Sequence, residues 1–149
     1  MTSDLENDFL VLLYDVARQM RTRADQMART YGMTRAQWVI LARLEKQPGL
    51  SQNELAALAE AAPLTIARLV ARLEEQGLVE RCADPRDRRV WRLRLTGKAE
   101  PHLQHIKRYR AELRELMTKD LQPEMLEALA QGLLRMKDNL HSSLNKACA

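Results

Sequence analysis

The sequence predicts a mainly α-helical fold interrupted by one small β-hairpin. Leu, Ala, Arg and Glu are abundant, aromatic residues make up only 4% and there are 5 glycines, a mixture that favours helices. Apolar residues recur at alternating steps of three and four along most of the chain, the spacing that lines one helix face. The segment Val90–Leu95 alternates instead, with the period of a strand.

With 149 residues the chain is long enough for one domain with a buried core. Its 46% apolar and 30% charged residues fit a folded protein rather than a disordered one. No run approaches the roughly 18 apolar residues of a membrane span. The acidic start Met1-Thr2-Ser3-Asp4-Leu5-Glu6 opens an amphipathic pattern rather than a signal peptide, so a cytoplasmic protein is expected. Cys82 and Cys148 are too few and too far apart for a disulfide framework or a zinc site. His102, His105 and His141 lack the cysteine or acid partners that metal spacing requires, so no metal or cofactor is expected. His102 and His105, three apart, read as a solvated helix face. The chain has no G-x-S-x-G, Walker loop, H-E-x-x-H or C-x-x-C pair, and it is not expected to be an enzyme.

The first helix is expected from about Leu5 to Tyr31. Phe9, Leu13, Val16, Met20, Ala24 and Met27 form its stripe, and Gly32 supplies the left-handed conformation that ends it. Such a long apolar stripe at a chain end suits a partner outside its own domain. Thr34-Arg35-Ala36-Gln37 is a capping box for the second helix, whose inner face is Trp38, Leu41 and Leu44 with Ile40 beside them, and Pro48-Gly49 closes it. Ser51-Gln52-Asn53-Glu54 opens a short third helix in the same way, with Leu50 and Leu55 as its hydrophobic staple. Pro63 suits the first position of a fourth helix that Gly77 stops. Ile66, Leu69, Val70 and Leu73 share its inner face, opposite Leu64, Arg68, Ala71, Arg72 and Glu75. Two short helices joined by a tight turn, the second with an arginine-bearing outer face, are the layout of a helix-turn-helix.

Leu78–Cys82 and Val90–Leu95 read as hairpin strands, with Trp91, Leu93 and Leu95 inward and Val90, Arg92 and Arg94 outward. Ala83–Arg89, punctuated by Asp and Pro, is the turn, and Thr96 can cap the next helix. Leu103, Ile106, Leu113, Leu116 and Met117 mark a fifth helix, distorted or restarted at Pro101. Pro123 begins a sixth in which Leu126, Leu129, Leu133, Met136, Leu140 and Leu144 keep helical spacing.

The formal net charge is +4, yet between Arg86 and Lys98 six basic residues (Arg86, Arg88, Arg89, Arg92, Arg94 and Lys98) stand against one acid, Asp87, a local net of +5. A hairpin of that charge directly after a recognition helix is a wing suited to a phosphate-lined groove. The residues thus predict a winged helix-turn-helix in one domain, 1–149. Residues 34–98 form the DNA-binding lobe; the stripe from Leu126 to Leu144 could equally pack within one subunit, but an apolar stripe at both ends of a small chain points to 1–31 and 99–149 as dimerisation helices.

Several fragments succeed one another in a fixed order: Met33-Thr34 and Gln37-Trp38, then Ser51–Ala56, Leu69–Glu74 and Gly77–Arg81. The most specific is Asp84-Pro85-Arg86-Asp87-Arg88-Arg89, with Leu93-Arg94-Leu95-Thr96 after it. Together, across nearly the whole chain, they resemble the multiple-antibiotic-resistance regulator (MarR) family of bacterial transcription factors, and within it the SlyA-like branch. The resemblance implies a ligand-responsive repressor acting as a homodimer in which the first, fifth and sixth helices of both subunits interlock. Each recognition helix would enter a major groove, and each wing tip a flanking minor groove, of an inverted-repeat operator. The alternative is a winged-helix protein-interaction module that does not read DNA.

Arg68 is expected to read guanine with its planar fork, with Leu64 and Thr65 against thymine methyl groups and Arg72 on phosphate. The plainer reading is that Arg68 and Arg72 solvate a helix surface. Arg88 or Arg89 is expected in the narrow minor groove, the resemblance favouring Arg89, with Asp87 ion-paired to a neighbouring arginine to shape the turn. By resemblance, Arg18, Arg21 and Trp38 line a pocket for a small aromatic or phenolic acid, or an acyl-CoA thioester. Alternatively, Trp38 is core and the arginines are surface residues. Cys82, at the wing base, reads as an ordinary strand residue rather than an oxidant sensor.

Overall fold

A computed structural model of the chain describes residues 8–147, with 144–147 as backbone only. Helix α1 spans Phe9–Thr30, α2 Arg35–Lys46, α3 Gln52–Ala59 and α4 Pro63–Glu75. Strands β1 (Val79–Ala83) and β2 (Trp91–Leu95) come next, then a 3-10 turn at Gly97–Ala99, α5 (Glu100–Thr118) and α6 (Pro123–Ala147). This is the expected mainly helical, winged-helix fold with one antiparallel hairpin. The chain divides into two compact units, Met1–Tyr109 and Arg110–Ala149. Leu5, the side chain of Leu144 and Cys148 lie outside the described residues.

Local hydrogen bonds account for the helix starts. The Thr34 hydroxyl accepts the Gln37 N–H at 3.2 Å, and the Gln37 side chain accepts the Thr34 N–H at 2.9 Å. Ser51 and Glu54 repeat that reciprocity at 3.2 and 2.8 Å. Each box satisfies two backbone donors that a helix end leaves open. α1 starts at Phe9, later than expected, because extended Asp8 caps it and accepts the Leu10 N–H at 2.8 Å. Gly32 and Gly77 end α1 and α4 at φ values of 69° and 70°. Between α3 and α4, Glu60 adopts φ 50° without being glycine. α5 restarts as expected at Glu100, with Pro101 in a first turn where its missing N–H costs nothing.

The core of the first unit joins α2, α3, α4 and β2. Leu41, Leu55, Val70, Leu73 and Leu93 are each 0% exposed, and Leu103 and Ile106 of α5 close one side. Burying a leucine of this kind contributes about 1.5–3 kcal/mol. Lys107 of α5 pairs with Glu45 of α2 at 2.6 Å, and Arg35 of α2 with Asp25 of α1 at 3.2 Å.

The hairpin pairs Val79 with Leu95, Arg81 with Leu93 and Ala83 with Trp91, so β1 starts one residue later than expected. On its other edge, the Leu93 N–H donates to the Leu50 carbonyl and the Gly49 N–H donates to the Leu93 carbonyl, both at 2.9 Å. Two expectations fail here. Trp91 is 49% exposed, because its register opposite Ala83 puts it past the last core residue. Thr96 does not cap with its side chain; its hydroxyl donates to the Gly77 carbonyl instead.

Phe9, Leu13, Val16 and Met20 of α1 are exposed, and so, in the second unit, are Leu129, Leu133, Met136 and Leu140 of α6. Among the described residues, no helix is long and apolar enough to cross a membrane. Leu41→Ala is expected to lower the unfolding free energy by about 2–5 kcal/mol, and Thr34→Ala by about 1 kcal/mol. Urea titrations followed by circular dichroism measure both, and a Leu41 loss smaller than the Thr34 loss would place the core elsewhere.

Candidate nucleic-acid interface

Two amphipathic helices and the hairpin bring the candidate DNA-contacting residues into one compact unit. α4 begins at Pro63 without a side-chain cap. Because Ile66, Val70 and Leu73 are buried, the 3.6-residue repeat turns Leu64, Thr65, Arg68, Ala71 and Arg72 outward, and all five are exposed. From Leu64 to Arg72 the helix rises about 12 Å, about the width of a major groove. Among the described residues, neither Arg68 nor Arg72 makes an ion pair, so their guanidinium donors face solvent. The Arg81–Glu74 pair, at 2.8 Å, ties β1 to the end of α4.

Asp84 organises the wing turn. Its Oδ1 accepts the N–H groups of Arg86 at 2.7 Å and Asp87 at 3.2 Å, while its Oδ2 accepts Nε of Arg92 at 2.7 Å. Arg92 Nη1 also donates to Glu54 Oε2 at 2.9 Å and to the Gly49 carbonyl at 3.3 Å. The Arg92 hydrogen bond, and after it the Arg86 N–H, holds the Asp84 carboxyl below its ordinary range. The Ser51 N–H and then Arg92 do the same for Glu54, and Asp84 chiefly raises Arg92. Arg92 is therefore not a free cation of the wing, as its outward position in the strand suggested. Arg86, Arg88 and Arg89 are exposed at the turn.

Asp87 shapes that turn through backbone hydrogen bonds, with no ion pair among the described residues. Its Oδ1 accepts the Arg89 N–H, and its backbone carbonyl accepts the Val90 N–H, each at 3.0 Å. A carboxylate on so short a stem reaches nearby backbone donors in the turn itself.

A second constellation lies where α1 ends, α2 begins and α5 passes. Tyr31 stacks on His105 at 3.8 Å and on Trp38 at 6.0 Å. Trp38 meets Tyr109 at 5.8 Å, and His102 stands edge-on to His105 at 6.5 Å. Trp38 Nε1, Nδ1 of both histidines and the Tyr109 hydroxyl are buried without hydrogen-bond partners among the described residues. Burial pushes the Tyr109 hydroxyl up, and the Arg23 charge opposes that shift. Arg18 and Arg21 are exposed on α1; Arg18 pairs with Asp15 at 2.8 Å.

A sequence model of the MarR family matches residues 31–90. Over 134 residues the chain is 25% identical to the helix-turn-helix-type transcriptional regulator YybA of Bacillus subtilis (strain 168), spanning 90% of this chain and 89% of YybA. Its structure is similar to that of the transcriptional regulator SlyA, with a TM-score of 0.80 at 27% identity over 92% of this chain and 96% of SlyA. Against the transcription regulator MarR from Oenococcus oeni PSU-1 the TM-score is 0.68 at 30% identity, covering 88% of this chain and 99% of that one. The chain belongs to the MarR family. It is a DNA-binding transcriptional regulator, not an enzyme.

In this MarR-family chain the structure brings Leu64, Thr65, Arg68 and Arg72 onto one outward face and Arg88 and Arg89 to the wing turn. It brings Trp38 into the aromatic cluster, with no hydrogen bond from Arg18 or Arg21 to that cluster among the described residues. His102 and His105, expected on a solvated face, are half-buried instead, His105 against Tyr31 and His102 edge-on to His105. Tyr31, Tyr109 and Arg23 were not singled out by the sequence; an aromatic at each of three separated positions becomes a signal only once the helices are packed.

Burial, and then the His105 charge, hold His102 below its ordinary 6.5. The unfolded chain therefore takes up this proton before the folded one as pH falls. The stability tied to the neutral ring is complete above 6.5 and is lost as pH falls from there through the lower folded value. His102→Gln is expected to flatten the decline of the urea midpoint between about pH 7 and 5; an unchanged decline would assign the acid sensitivity to other groups. Cys82 is half-buried in β1 opposite Arg92. Cys82→Ser is expected to leave DNA affinity unchanged with or without peroxide, whereas peroxide-driven release that the serine variant loses would make Cys82 a sensor.

Proposed function

We propose that this regulator is a ligand-responsive repressor that binds an inverted-repeat operator as a homodimer. In this reading residues 34–98 bind DNA, and the helices of 1–31 and 99–149 dimerise. The observation that carries it is the outward face of α4, with two arginines that make no ion pair among the described residues, followed by a hairpin whose turn exposes three arginines. Arg68 reads guanine through two hydrogen bonds, Leu64 and Thr65 touch thymine methyl groups, and Arg72 holds phosphate. Arg89, with Arg88 beside it, enters the minor groove, and Asp87 keeps the turn in shape. The exposed apolar residues of α1 and α6 support burial against a second protomer, since two recognition helices reading a palindrome need a two-fold partner.

The effector in this reading is a small aromatic or phenolic acid, with an acyl-CoA thioester as the alternative, seated against the Trp38 cluster. The buried, unpartnered indole N–H and tyrosine hydroxyl are donors for such a ligand, and the rings around them supply apolar walls. Arg18 and Arg21 lie exposed three residues apart on α1, and the Arg23 charge reaches Tyr109; all three are candidates for the carboxylate.

Anisotropy on a fluorescein-labelled duplex, selected from random DNA on the purified protein, tests this across a salt series. Arg68→Ala is expected to lose about 1–3 kcal/mol and relax the sequence preference. Arg89→Ala is expected to weaken binding and, with one arginine lost from each of two protomers, to lower the salt slope by about 1.8; saturation is expected at two protomers per duplex. Equal affinity for selected and random duplexes would overturn the reading.

A further inference from the structure

Arg92 draws together three segments distant in sequence: Asp84 at the start of the wing turn, Glu54 in the first turn of α3, and the Gly49 carbonyl in the link between α2 and α3. Its partners are themselves organisers. The other oxygen of Asp84 holds the turn backbone, and the same Glu54 oxygen completes the α3 capping box. We propose that Arg92 is a positioning residue for DNA binding, fixing the direction of the wing relative to the helix-turn-helix without touching DNA itself. The inference rests on the reading that the wing contacts DNA.

Two features favour positioning over direct contact. The charge of Arg92 is offset by two carboxylates within 2.9 Å, which leaves it little attraction for phosphate. Its Nε and Nη1 donors are engaged in the rigid fork geometry that only a guanidinium provides. A lysine would keep the charge but could not span the three acceptors.

The discriminating variant is Asp84→Asn. An asparagine oxygen can still accept the Arg86 and Asp87 N–H groups, but its amide then faces the donors of Arg92. The substitution also removes a negative charge from the wing, so charge alone predicts tighter binding to DNA. Positioning predicts the opposite sign. With the selected duplex of the anisotropy assay, Asp84→Asn is expected to weaken binding about tenfold, and Arg92→Lys to fall by a similar factor. In an Arg89→Ala background, Asp84→Asn is expected to cost little more, because the wing contact it supports is already gone. A general loss of folding would persist in that background.

Asp84→Asn binding at or above wild-type affinity would overturn the proposal, as would Arg92→Lys at wild-type affinity or losses that simply add in the double variant. Arg89→Ala at wild-type affinity is a different result: it refutes the wing-contact reading and takes the positioning role with it.

Discussion

Leu93 joins the hairpin to the helices. Its side chain is fully buried with Leu55 and Val70 in the core, while its N–H and carbonyl both bond to the Gly49–Leu50 link. A two-stranded hairpin alone is marginal in water and becomes secure when it gains a further row or a packed face. Leu93 provides both at one position. The strands, the Asp84 turn and the exposed arginines all project from that anchored point. The direction of the wing is thus inherited from the helical core.

Legibility in the sequence tracked the range of the interactions. Both capping boxes, Pro63 at the start of α4 and the glycines that end α1 and α4 were readable, because each is a bond or a backbone preference within a few residues. The inner faces of α2 and α4 were readable from periodicity for the same reason. The turn between α3 and α4 carries no glycine, and left-handed Glu60 gave no signal. Trp91 was misread because alternation says which face a residue shares but not where the core beneath that face ends.

The site shows the same division. The face of α4 and the basic turn were legible as residue types at fixed spacing. The Arg92 network was not, since its bonds to Glu54 and the Gly49 carbonyl span 38 and 43 residues. Counting charge along the chain also overstated the wing, because Asp84 lies just before the counted stretch and Glu54 approaches only in three dimensions. What remains positive in the folded hairpin is concentrated at its turn, where Arg86, Arg88 and Arg89 are exposed. Local charge density, rather than the modest total, is what a polyanion meets.

The chain has two tryptophans, and the fold places them in opposite circumstances. Trp38 is 4% exposed within a ring of aromatic side chains, while Trp91 is 49% exposed on the wing. A buried indole emits at shorter wavelength and is shielded from aqueous quenchers; a half-exposed one emits further to the red and is quenched readily. The unlabelled protein therefore carries two separable optical reporters, one beside the aromatic cluster and one on the hairpin. Iodide quenching and emission wavelength can follow events at each place independently, in a single sample.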